Sequence, residues 1–489
     1  MTSFHTNQPS TTPASGPPPQ CPAHARTGNA DGLARLFGPE IADDAPGFFE
    51  RLRAQHGSVA PVLVDGDLPA WLVLGYRENL EVLRTASRFC HDSRIWHCFK
   101  EGRVPADSPL MPALAWQPVC LFMDGEEHER LRVAITESMG RFDRRGIRRC
   151  VTRSANQLID DFIGDGQADL VSQFAVQLPL RVVAQLLGMA EEDGPRLVEA
   201  ARDLLMGTET AVESNAYLMK SLEQLVATKR AVSGPDFTSW LMAHPAHLTD
   251  EEVAHHLRIV LLAANENTTN LTANTLRMVL TDPRFRASLT GGSMTLPDAL
   301  EQMLWDEPPT AVMPARWATG DTELGGQSIK EGDMLLLGLA PGNSDPAIRP
   351  DLSVAMQGNR SHLAFSGGPH ECPGQEIGRA IIDTGIDVLL TRLPDIELAV
   401  PEGELKWVSH WIARHLTELP VKFTAGPGVT RPAPAGTSGN AEQSEHVLQG
   451  LAPGGPLVAG GAPGSTPAVS APGVRPSWWG RLKGWLSGK

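Results

Sequence analysis

A mainly α-helical fold with small β-sheets is what this chain of 489 residues predicts. Three observations carry it: apolar residues recur at spacings of three and four through most of the middle of the chain, only a few short stretches read as strands, and no internal linker divides residues 29–424. In chain order, residues 1–28 are rich in Pro, Ser, Thr and Gln and poor in large apolar side chains, a composition that stays disordered. Strands follow at 58–64 and 70–75, then helices at 77–86, 127–142, 154–165 and 197–207. Residues 250–282 form a longer helix, with acidic residues in its first turn and a middle that is apolar nearly all round, so it runs through the core. Strands at 334–340 and 419–423 and a helix at 376–393 complete one domain over 29–424. Residues 425–475 read as a Gly/Pro/Ala-rich linker to a Trp-rich basic peptide, 476–489.

Composition excludes several function classes. The net charge of −15 argues against nucleic-acid binding, which needs a basic footprint. The first residues, MTSFHTNQPS, lack the basic start and apolar run of a secretory signal, and the longest apolar stretches are too short to span a bilayer. Six cysteines are scattered without a C-x-x-C pair, which fits neither a disulfide framework nor a zinc site and suits a reducing cytoplasm.

Chemistry concentrates in FSGGPHECPG, residues 365–374. Its small residues let backbone N–H groups crowd the Cys372 sulfur, and a helix starting just beyond it adds a dipole that favours a thiolate. A lone cysteine is more commonly a buried structural residue, but the whole ten-residue pattern speaks for a ligand.

That segment resembles the haem-binding loop of the cytochrome P450 superfamily, F-x-x-G-x-H/R-x-C-x-G, at every defining position. The resemblance extends over 29–424 and is of the soluble bacterial type. It implies a single haem-binding domain with haem b as cofactor and Cys372 on the iron, where a thiolate favours O–O cleavage. EEHERLR resembles the family's H-x-x-x-R pair, so His128 and Arg132 lie one turn apart on one helix face. Arg316, His362 and His370 match its other donors to the haem propionates. Each alone would pass for a surface salt-bridge partner; together, in this chain order, they imply a porphyrin anchor.

Two departures stand against these matches. Where the family's central helix reads A-G-x-E/D-T-T, this chain has AANENTT, residues 263–269. Glu266 keeps the acid, either as part of a proton relay or as an ordinary helix residue. Asn267 takes the place of the oxygen-side alcohol, and Thr268 follows about 100° further round. An amide donates a hydrogen bond but is a poor proton shuttle. The E-x-x-R signature is also missing: ALEQMLWDEPP places Gln302 and Trp305 at its two charged positions, with Glu301 rotated by about 100°, and no arginine follows Pro350-Asp351. Joint loss of all three charges reads as compensated remodelling, because losing one alone would strand the others at roughly 3–5 kcal/mol. This resembles a streptomycete-type subgroup of the superfamily that lacks E-x-x-R.

The resemblance therefore implies a monooxygenase that takes electrons from a separate ferredoxin and ferredoxin reductase and oxidises a small apolar substrate. Segments near 85–120 and 180–220 would line the substrate space. Arg141, Arg144, Arg145, Arg148 and Arg149 form a basic cluster that reads as a ferredoxin-docking patch or as a solvated face. Trp478, Trp479 and Trp485 suit a membrane-surface or protein contact, or a peptide folded back on the body, so the protein is expected in the cytoplasm with possible peripheral attachment. The alternative function is a haem-binding regulatory or scaffold protein of this fold with little turnover.

Overall fold

The structure, a computed structural model, describes residues 32–427 apart from 106–107, 109–110, 191–195, 198, 202, 204–209, 283–294, 357 and 410. These fall in one of the chain's two compact units, Met1–Pro453. The N-terminal segment 1–28, the linker beyond 427, the tryptophan peptide with Trp478, Trp479 and Trp485, and most of the expected helix 197–207 lie outside the described residues.

Helices α1 (Tyr76–Arg84), α2 (Gly125–Gly140), α3 (Arg144–Phe162), α4 (Gln177–Leu187), α5 (Ala211–Ala231), α6 (Asp250–Thr281), α7 (Leu296–Asp306) and α8 (Gln375–Arg392) carry the body. The 32 residues of α6 start at a reciprocal cap: the Thr249 hydroxyl accepts from the Glu252 amide, and the Glu252 carboxylate accepts from the Thr249 amide. Val253, Leu257, Leu261, Leu271 and Leu276 sink α6 into the largest apolar cluster, against α4, α5 and α8. Contact between α4 and α8 needs a glycine, because a β-carbon at Gly385 would collide with Leu178.

Apart from two small hairpins, Thr322–Leu324 with Gln327–Ile329 and Trp407–Ser409 with Arg414–Leu416, the strands are β1 (Ala34–Arg35), β2 (Val59–Val64), β3 (Leu68–Val73), β4 (Phe89–Cys90), β5 (Gln167–Asp169), β6 (Val312–Ala318), β7 (Met334–Gly338), β8 (Glu397–Leu398) and β9 (Pro420–Lys422). They form a six-stranded sheet, β1-β2-β3-β7-β6-β4, and a three-stranded one, β8-β9-β5. Every residue of β2, β3 and β7 is buried, so these strands read as continuous apolar runs. One edge matters most for the site. β4 and β6 pair antiparallel, Phe89 opposite Ala318 and Cys90 opposite Trp317, so His91 and Arg316, one step beyond, come together. The β6–β7 register shifts between Met313 and Arg316, a bulge of the kind that re-aims a side chain.

Candidate active site

The loop before α8 is closed by its own backbone: the Cys372 amide donates to the Phe365 carbonyl at 2.9 Å. Gly368 has φ 67°, and a side chain there would strike the Leu83 carbonyl of α1. Only glycine suits both demands. Burial raises the Cys372 pKa, outweighing a backbone hydrogen bond from Gly374 and the nearby charges of Arg132 and Arg379. In this buried setting the loop's backbone hydrogen bond and the nearby charges do not by themselves lower the thiol's pKa. A cation at the sulfur, such as a coordinated metal ion, would do so.

Beside this loop, groups from four elements converge. His128 of α2, His370 of the loop and His91 after β4 form a stack, with ring centroids 3.4 Å apart for His91–His370 and 3.9 Å for His128–His370. Asp124 orients His91, accepting from its backbone amide at 2.7 Å and pairing with Nδ1 at 2.7 Å. The Nε2 atoms of His91 and His128 are buried without a hydrogen-bond partner, while His370 Nε2 faces Asp124 Oδ1 at 3.5 Å. Arg316, 2% exposed, lies close enough to lower the pKa of both His91 and His370. Burial, then the Arg316 charge, pushes His91 down to about 3. Burial, then His370, pushes His128 down to about 4. For Asp124, burial acts upward, but the hydrogen bonds from His370 and His91 outweigh it and hold the carboxyl well below its usual range. Ligand atoms of His91, Asp124 and His370 lie within 4.8 Å of one another, yet the rings stack face to face and Asp124 is already engaged. The arrangement suits donors facing an anion better than converging metal ligands.

Arg132 donates to the Glu371 carbonyl next to Cys372, so it braces the loop as well as bordering the imidazoles. His362 does not join them: its Nε2 lies 3.1 Å from Glu301 Oε2, in a separate buried cluster. His91 and Asp124 were missed from sequence. A histidine directly after a two-residue strand carries no local signal, because only the β4–β6 register brings it to Arg316.

On α6, Ala263 is exposed and Leu262 and Ala264 are half-buried, between the buried Leu261 and Asn265, so the helix faces open space there. Burial raises the Glu266 pKa. Asn267 is clamped: its Nδ2 donates to the Ala263 carbonyl at 3.0 Å, and its Oδ1 accepts from the Thr310 hydroxyl at 2.8 Å. Thr268 is turned away, 5% exposed, with its hydroxyl 4.0 Å from where a Gly378 β-carbon on α8 would stand. The rotation of about 100° per residue separates it from Asn267.

Remodelling around α7 is explicit. Gln302 Oε1 accepts from the Met356 amide at 2.7 Å and its Nε2 donates to Asp306 at 2.7 Å. The Trp305 indole donates to the Asn359 carbonyl at 2.7 Å. Amide and indole thus hold the segment leading to the cysteine loop, which the missing charges would otherwise be expected to hold. Charge has not vanished from α7, however. Glu301 pairs with Arg379 of α8 at 2.5 Å, and Asp306 pairs with Arg349 at 2.8 Å. Glu301 thus joins α8 to the segment before the cysteine loop, where His362 and Arg360 share its carboxylate.

Of the basic cluster, Arg144 pairs with Glu376 at 3.1 Å and Arg148 with Asp383 at 3.7 Å, both on α8, so the cluster borders the cysteine side. Arg149 faces Asp143 at 3.9 Å, Arg141 stacks on Trp240, and Arg145 is exposed.

Comparison with known proteins gives a consistent picture. The chain is 32% identical over 388 residues to cytochrome P450-SU2 of Streptomyces griseolus, covering 78% of this chain and 94% of that one. It is 29% identical over 395 residues to 2-hydroxy-5-methyl-1-naphthoate 7-hydroxylase of Streptomyces carzinostaticus, covering 78% and 96%. Its fold matches that of CYP154C4 from Streptomyces sp. W2061 with a TM-score of 0.72 at 27% identity, over 80% of this chain and 97% of the other. No family model matches the chain.

Two outcomes test this geometry. Gln302→Glu will not restore the missing signature; it sets a carboxylate against Asp306 and strips the Asp306 hydrogen bond, so urea unfolding should show a loss of about 1–3 kcal/mol. The second concerns pH. Because folding depresses the His91 and His128 pKa values, the unfolded chain binds more protons below its own histidine pKa of about 6.5. Stability of the haem-free protein should therefore fall as pH drops from about 6.5 towards 4. Denaturation midpoints at pH 7.5 and 5 should differ less in His91→Asn than in the unaltered protein.

Proposed function

This chain belongs to the cytochrome P450 superfamily and is a haem b-dependent monooxygenase; on that premise we propose that Cys372 holds the haem iron while His91, His128, Arg316 and His370 receive the propionates. The observation that carries the assignment is the pair of buried imidazole Nε2 atoms without partners, on His91 and His128, beside His370 and the buried Arg316. Such groups are costly to bury unless an acceptor completes them, and two carboxylates would do so. The open face at Ala263 and Ala264, and a thiol that burial keeps protonated in the absence of a cation, fit the same group. When bound, the haem supplies reductive activation of O₂ and transfer of one oxygen atom to the substrate.

The oxygen-side residues divide the proton work. Glu266, its pKa raised by burial, is the group able to hold and release a proton. Asn267 positions and does not shuttle, since both ends of its amide are engaged. Thr310 then brings a hydroxyl to the place where the family's helix alcohol is missing, aimed by its bond to Asn267 Oδ1. Thr268, packed towards α8, serves the helix–helix contact.

Electrons come from a ferredoxin and its reductase, docking near Arg144, Arg145 and Arg148 on the α8 side. The substrate is small and largely apolar, within the segments near 85–120 and 180–220. No described helix is long and apolar enough to cross a membrane. A cytoplasmic site of action agrees with that, and the tryptophan peptide is left as a contact for a membrane surface or a protein. A scaffold role without turnover is not favoured, because the hydroxylase relative is itself named as an oxygenating enzyme.

The reduced, CO-bound protein should show the Soret position of a thiolate-ligated haem, and Cys372→Ser should lose it; a non-thiolate band in the unaltered protein would sink the assignment. With a surrogate ferredoxin system, Thr310→Val should divert a larger share of the NAD(P)H electrons into hydrogen peroxide without altering that band. Arg144→Glu combined with Arg148→Glu should raise the ferredoxin KM several-fold, roughly the effect of reversing rim charges, and should flatten its salt dependence.

A further inference from the structure

A buried cation on α6 takes no part in the arrangement above. Arg258 is 8% exposed. Its Nε donates to Asn215 Oδ1 of α5 at 3.0 Å and its Nη1 to Gln117 Oε1 at 3.2 Å. Both acceptors are neutral amides, and among the described residues no carboxylate pairs with it. The other buried arginines differ: Arg349 meets Asp306, Arg379 meets Glu301, and Arg316 feels the Asp124 charge. Burial alone acts on the Arg258 guanidinium, pushing its pKa down, with no anion working the other way.

An uncompensated charge in the interior is expensive, and the fold could have placed an apolar side chain there at less cost. Position suggests what compensates it. Gln117 and Asn215 belong to the two segments expected to line the substrate space, so the guanidinium sits where both meet the central helix. Four residues on, about 6 Å along the helix axis and on the same helix face as Arg258, stands half-buried Leu262, next to the open Ala263. Two of its five N–H donors are used by the amides, which fix the plane of the fork and leave donors in the geometry that carboxylates favour.

Building on the monooxygenase reading, we propose that Arg258 anchors an anionic substrate, a molecule with an apolar body and a carboxylate that docks on the guanidinium while the body extends along α6 past Leu262 to the open face at Ala263. Gln117 and Asn215 hold the guanidinium in place in the absence of substrate.

The test uses the haem-loaded full chain and two matched pairs of probes: dodecanoate with dodecanamide, and 4-phenylbutyrate with 4-phenylbutyramide. Binding is followed by spin-state titration and checked by equilibrium dialysis. At least one acid should bind about tenfold or more tightly than its amide, the size of one charge-assisted interaction. Arg258→Gln and Arg258→Met should erase that gap while leaving amide binding as it was. Arg258→Met should also melt no lower than the unaltered protein, because it removes a charge the fold holds for the ligand and not for itself. Acids that bind no better than their amides, a gap that survives Arg258→Met, or a steep fall in melting temperature with acid binding intact would each overturn the proposal. Every variant is first checked for its reduced CO spectrum. Loss of the thiolate band in the unaltered protein would refute the enzyme reading, whereas an intact band without acid preference refutes only the anion anchor.

Discussion

Glu301 and Arg379 form the contact on which the cysteine side of the molecule depends. One sits on α7 and the other on α8, the helix that Cys372 leads into, and they meet at 2.5 Å with both side chains almost wholly buried. His362 and Arg360 close around the same carboxylate. A buried ion pair adds little net stability compared with a well-packed apolar contact, but it fixes geometry, because either partner without the other would be stranded. On neighbouring faces of α7, Gln302 and Trp305 fasten the approaching segment with neutral bonds. The cysteine side is thus held by one helix through charge together with amide and indole hydrogen bonds.

This arrangement gives the lost E-x-x-R signature a physical account. The signature's task is to bind a loop to a helix in the interior. A glutamine and a tryptophan satisfy backbone groups of that segment with neutral hydrogen bonds, beside the charged cluster centred on Glu301. Asp306 and Arg349 add an ion pair at the rim, where water shares the cost. The sequence shows the three charges disappearing together, and the structure shows where the replacement hydrogen bonds go.

What was legible from sequence follows from what local patterns encode. The cysteine loop announces itself because a sharp glycine turn and a following helix must be contiguous in the chain. The length and burial of α6 are equally local, written in its apolar periodicity and its cap. His128, Arg316 and His370 could be picked out one by one, each from its own short motif. His91 could not, since its meeting with Arg316 depends on which strands pair and in what register. His362 looked like a fourth donor of the same kind, and only the packing of α7 shows that Glu301 claims it. Arg258 was invisible for a related reason: an arginine on a helix is ordinarily solvated, and nothing local says that Gln117 and Asn215 enclose it.

The ion pairs that α3 makes with α8 shape how the cysteine side looks from a distance. Arg144 and Arg148 are not bare charges, for Glu376 and Asp383 lie against them. Interleaved opposite charges form short dipoles whose field dies away faster than that of a single pole, and within about one Debye length salt removes the remainder. Around a chain of net charge −15, such a face has a shorter reach over an incoming molecule than the same arginines would have without their carboxylate neighbours. It selects at contact, by whether another surface can match the alternating signs in register. Complementarity here acts as a fine-toothed key and not as a magnet.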